Sequence, residues 1–133
     1  MPHLNWLAVL AAAVSTFVIG GLWYSPAVFG RAWMLANNFT QEDLDRGNIA
    51  KIFGLSFVFA LLMSANLAAF LADSKTTAAW GATAGFLAGF GWATLGLATV
   101  ALFERRSWKY ILINGGYLTI SFTVMGLILG AWR

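Results

Sequence analysis

Side chains fit for chemistry are scarce in this chain and fall into one recognisable group. Trp23, Tyr24, Ser25 and Pro26 end the first long apolar run. Arg31 and Lys51 are early cations, and Asn114 and Tyr117 lie three residues apart, on one face of any helix containing them. If these residues converge, a guanidinium, an ammonium, a carboxamide and two phenols suit the anionic head of a lipophilic molecule. The same set also reads as a structural cluster that fixes how the chain turns after the first run. Other chemistry has little material. There is no cysteine, which removes disulfides and thiolate ligands. His3 is the sole histidine, and no carboxylate or second imidazole is spaced to join it around a metal. The acids Glu42, Asp43, Asp45, Asp73 and Glu104 form no nucleophile–base pair, and there is no phosphate loop. No catalytic residue, metal or cofactor is expected.

The elements that must hold these residues are hydrophobic throughout. Of the 133 residues 60% are hydrophobic and 10% charged, whereas soluble domains run near 45–50% and about 25%. Four apolar segments, about 4–23, 52–71, 78–102 and 110–132, each approach the roughly 20 residues that cross a bilayer as a helix. None contains Asp, Glu, Lys or Arg. Apolar residues run on rather than alternate, which argues against a β-barrel. The first run lacks a basic start and a cleavage site, so it reads as a retained span and not a signal peptide. The expected fold is a single all-α domain, 1–133: an integral membrane antiparallel four-helix bundle.

Short connections near 72–77 and 103–109 force neighbouring spans into hairpins. The long connection, 25–48, holds Ala27, Phe29, Ala32, Trp33 and Leu35, enough for a short interfacial helix. Thr40-Gln41-Glu42-Asp43 follows as a capping box with Asp in place of Glu, and Glu42 and Arg46 are placed to pair. Six of the eight cations (Arg31, Arg46, Lys51, Arg105, Arg106, Lys109) fall in the first and third connections, leaving Lys75 and Arg133 for the other side. Positive charge stays inside, so these connections are expected in the cytoplasm and both termini outside. Asn38-Phe39-Thr40 would then never meet a glycosylation enzyme.

Within the spans, Gly81, Gly85 and Gly89 recur every fourth residue, and Gly126 and Gly130 repeat the step. Such a stripe lets helix backbones approach closely. It serves either packing inside one bundle or the seam of a homo-oligomer. Most span serines and threonines are expected to bond back to their own helices, but Asn66 and Asn114 need partners. Trp6, Trp23, Tyr24, Trp80, Trp108, Tyr110 and Trp132 fall near span ends as an interfacial belt, while Trp92 lies inside the third span. No charge lies within a span, which argues against a proton relay or voltage sensor. The net charge of +3 is scattered and forms no nucleic-acid stripe.

One signature joins these pieces. Gly20-Gly21-Leu22-Trp23-Tyr24-Ser25-Pro26 through Phe29-Gly30-Arg31-Ala32-Trp33, with Thr40-Gln41-Glu42-Asp43-Leu44, Asn48-Ile49-Ala50-Lys51, Ile113-Asn114-Gly115-Gly116-Tyr117 and Met125-Gly126 to Trp132, resembles the bacterial domain-of-unknown-function family numbered 1761. The resemblance runs over essentially the whole chain. It implies a small four-span inner-membrane protein and no particular activity. The expected function is that of a non-enzymatic bundle that self-associates or joins a membrane complex through its glycine faces. The alternative is a binder or enzyme for a lipophilic small molecule with a cytoplasm-facing pocket. A transporter is a third reading, weakened by the uncharged spans.

Overall fold

A computed structural model describes residues 4–133. His3, for which no metal role is expected, lies outside the described residues. The helices are α1 (Trp6–Trp23), α2 (Gly30–Asn37), α3 (Gln41–Asp45), α4 (Ile49–Phe70), α5 (Ala78–Ala88), α6 (Leu95–Phe103) and α7 (Trp108–Ala131), with a π-helical turn, Gly89–Thr94, joining α5 to α6. Four stretches are long and apolar enough to cross a membrane: α1, α4, the continuous Ala78–Phe103 and α7. They pack as an antiparallel bundle, with α2 and α3 in the long connection.

Each span begins where a short polar side chain covers an orphan backbone N–H. Asn5 accepts from Ala8, Asn48 from Lys51, Thr77 from Trp80 and Ser107 from Tyr110, at 3.1 to 3.2 Å. Lys51 therefore lies inside α4, because the Asn48 cap starts that helix at Ile49. Thr40 and Asp43 form a reciprocal capping box at α3, and Arg46 pairs with Glu42 at 3.0 Å.

α7 is the centre of the arrangement, packed against α1, α5, the π turn and α2. α4 rests chiefly on α1 and only lightly on α7, and it shares no substantial contact with α5. The core gathers where α1, α4 and α7 meet, around Val9, Leu71 and Met125. Buried Ser64 of α4 donates to the Val9 carbonyl of α1 at 2.8 Å, a polar tie of the kind that holds helices together where lipid weakens apolar attraction.

The π turn has a positional reason. In a regular α-helix, residues five apart point about 140° from each other. Widening the turn lets Gly89 and Thr94 both face α7. Gly89 lies against Phe122, and the Thr94 hydroxyl donates to the Gly115 carbonyl at 2.8 Å and lies 2.9 Å from the Thr119 hydroxyl.

Candidate functional site

The chain turns sharply after α1. Pro26, whose fixed φ suits the second position of a turn, follows Ser25, and the Ser25 carbonyl accepts from Val28 at 3.0 Å and Gly30 at 2.9 Å. A Cβ on Gly30 would lie 2.8 Å from the Ser25 carbonyl carbon, so only glycine lets the backbone fold back this tightly. Phe29 then stacks at a tilt on Trp23, ring centroids 4.7 Å apart.

This turn aims two side chains at α7, and a third, Tyr117, reaches back from α7 to α1. The Trp23 indole N–H donates to the Ile113 carbonyl at 2.8 Å, and its ring fills the space that a side chain on Gly116 would need. The Tyr24 hydroxyl donates to Asn114 Oδ1 at 2.7 Å, while Asn114 Nδ2 donates to the Tyr110 carbonyl at 3.0 Å. The Tyr117 hydroxyl donates to the Thr16 carbonyl at 3.1 Å, its ring 5.4 Å from that of Tyr24 and packed on Gly20. Ser25 turns its hydroxyl back to the Leu22 carbonyl. Donors and acceptors are matched within the chain, and aromatic rings fill the space between them.

Two of the grouped residues stand apart. Arg31 and Lys51 are exposed, and neither side chain hydrogen-bonds to another described residue. Arg31 does not meet Asn114, whose carboxamide is occupied by Tyr24 and the Tyr110 carbonyl. Long cationic side chains keep their heads in water unless a partner offsets desolvation. Trp23 likewise spends its N–H on α7 and not on a headgroup. What remains is a filled polar latch between α1 and α7. Among the described residues, no three His, Asp or Glu side chains converge as a metal site would require.

Gly81, Gly85 and Gly89 face α7 in the same molecule. A Cβ on Gly81 would overlap the Gly126 carbonyl oxygen and lie 2.9 Å from the Gly130 Cα. One on Gly85 would overlap the Phe122 carbonyl oxygen, and one on Gly126 the carbonyl oxygen of Gly81. Backbone thus meets backbone without intervening side chains.

The concave space lies elsewhere, between α4 and the third span. There a lateral groove of about 760 Å³ is walled by residues including Met63 and Asn66 of α4, Trp80 and Leu87 of α5 and Trp92 of the π turn, with Phe122 of α7 below. Its volume falls within the range of small-molecule sites. Asn66 is exposed to it and hydrogen-bonds to no described residue. Trp92 is 73% exposed. Reading the sequence left this site ungrouped. Its only signals were an asparagine and a tryptophan inside otherwise plain spans. A much smaller recess of about 80 Å³ lies beside Asn5, Trp132 and Arg133.

Four apolar spans around a hydrogen-bonded latch, with a groove open to the side, define a small multi-pass membrane protein. The chain belongs to the family described as "Protein of unknown function (DUF1761)", whose family model matches residues 7–130. No curated protein and no solved structure matches it.

Proposed function

We propose that the chain is a non-enzymatic membrane protein that binds a lipophilic molecule from within the bilayer. The site of binding is the groove between α4 and the third span, not the latch at the other end. One observation carries this reading: the groove is concave and holds an unpartnered carboxamide, whereas the latch has filled its space and matched its own hydrogen bonds. Self-association through the glycine faces draws no support, since side chains of a second copy would find the α7 backbone already there. Native mass spectrometry of protein released from gentle detergent tests the proposal. It expects retained mass in the range of one lipophilic molecule per chain. A stoichiometric dimer or protein partner with no such mass would overturn it.

The membrane in question is the bacterial inner membrane, with the 25–48 connection in the cytoplasm and both chain ends outside. The cation distribution supports this placement. The absence of native cysteine makes the test clean. A Lys75→Cys variant should react with impermeant maleimide in intact spheroplasts, and a Lys109→Cys variant only after lysis. The reverse pattern would invert the topology.

A further inference from the structure

We infer that the groove seats one acyl chain of a neutral, ester-bearing glycerolipid from the leaflet nearest Trp80, with Asn66 donating a hydrogen bond to its ester carbonyl. This rests on the binding function proposed above and names its ligand.

Depth comes first. Counting about 1.5 Å per residue from the middle of each span, Trp80 lies about 16 Å and Trp92 about 2 Å from the bilayer centre. Half of the hydrocarbon core is about 15 Å. The groove therefore runs from the headgroup boundary to the midplane, the depth of one leaflet. Asn66, about 10 Å from the centre of α4 by the same count, lies about 5 Å inside that boundary, so an ester carbonyl dips into the groove to reach it.

Chemistry selects the head. An unpartnered carboxamide in hydrocarbon is costly. Its N–H groups can donate to a carbonyl oxygen. No residue lining the groove is charged, so nothing there would neutralise a free fatty-acid carboxylate, whereas an ester carbonyl needs no counter-ion. The Trp80 indole at the mouth suits the headgroup boundary. At the inner end, a Cβ on Gly91 would meet nothing within 4 Å, which leaves room for a chain terminus beside Trp92.

The test uses the full chain in vesicles of phosphatidylcholine carrying a diazirine midway along one acyl chain, with tryptic mapping of the cross-link. Wild type should label at Met63, Leu87 or Trp92. Asn66→Leu should lower labelling about three- to tenfold, the range of one hydrogen bond within a membrane, and Asn66→Gln should retain most of it. Gly91→Leu, which fills the inner end, should displace the chain and abolish the label at Trp92. If Asn66→Leu labels as wild type while Gly91→Leu does not, the ester contact is wrong and the groove reading survives. Both fall if wild type labels evenly around the bundle. They also fall if an Asn66→Cys variant cross-links to a second copy across this face.

Discussion

At the residue scale, the latch makes an unequal demand on its partners. Tyr24→Phe removes the donor to Asn114 Oδ1 and leaves a half-buried acceptor without a protein partner, which should cost about 1–3 kcal/mol. Asn114→Leu removes the acceptor of that bond, so adding Tyr24→Phe to it should cost much less than Tyr24→Phe alone. Thermal unfolding in one detergent, run as a double-mutant cycle, reads this coupling, and additive losses would mean the bond is idle. A second residue-scale effect depends on pH. The Thr40 backbone N–H, and after it the Thr40 hydroxyl, hold the Asp43 carboxyl below its ordinary value. A depressed carboxyl contributes at pH above its unfolded value and stops contributing as pH falls through the lowered one. The start of α3 should therefore stay intact through mildly acidic pH and fray only below the ordinary carboxylate range. Asp43 Cγ shifts followed by NMR should titrate low in wild type and move upward in Thr40→Ala. An unchanged midpoint would remove the Thr40 hydroxyl as a cause and leave the backbone N–H alone.

At the scale of elements, glycines divide by what they face. Gly85→Leu or Gly126→Leu must push α5 from α7 backbone against backbone, and should lose several kcal/mol or fail to fold, as overpacking with no yielding side chain does. Gly54→Ala and Gly96→Ala meet nothing within 4 Å and should gain about 0.5–1 kcal/mol from the lower entropy of the unfolded chain. Melting temperatures of the four variants check the contrast, and losses at Gly54 or Gly96 would point to a contact outside this chain. The same element shows how far sequence reaches. Four apolar runs and their capping residues were readable, because span length and the chemistry of Asn48, Thr77 and Ser107 are local properties. The fourfold glycine step was readable too, but not which helix it meets. The π turn was not readable: a 3.6-residue period puts Gly89 and Thr94 on different faces, and only the demands of Phe122 and Gly115 across the seam bring them together. Arg31 and Lys51 were grouped with Asn114 because they share an end of the bundle. Sharing an end does not overcome the desolvation that pairing inside would require. Asn66 stood out as a polar residue in an apolar span, yet its lack of a partner depends on how far α4 stands from α5, which no local pattern encodes.

At the scale of the whole molecule, the bundle is held unevenly, and the weak joint lies beside the groove. α7 touches nearly every element, whereas α4 leans on α1 alone for most of its packing. Two polar ties hold it at the end near Asn5. Ser64 bonds to the Val9 carbonyl. Arg133 donates to the Leu71 and Asp73 carbonyls at 2.7 Å, just past the end of α4, and to the Leu129 carbonyl of α7 at 3.4 Å. A cation there also answers the negative end of the α4 dipole. The guanidinium thus ties the end of α4 and the connection after it to α7. Arg133→Ala should cost about 1–3 kcal/mol through orphaned carbonyls, with the loss concentrated in α4. Hydrogen exchange in lipid nanodiscs should show residues 64–73 exchanging faster in the variant while α5 and α7 keep their protection. If Arg133→Lys restores the wild-type pattern, charge at the helix end suffices; if it does not, the forked geometry of arginine is what holds α4. Uniformly faster exchange throughout the bundle would instead show that α4 opens only when the whole molecule unfolds, and the groove would then be a rigid cleft with no independently moving wall.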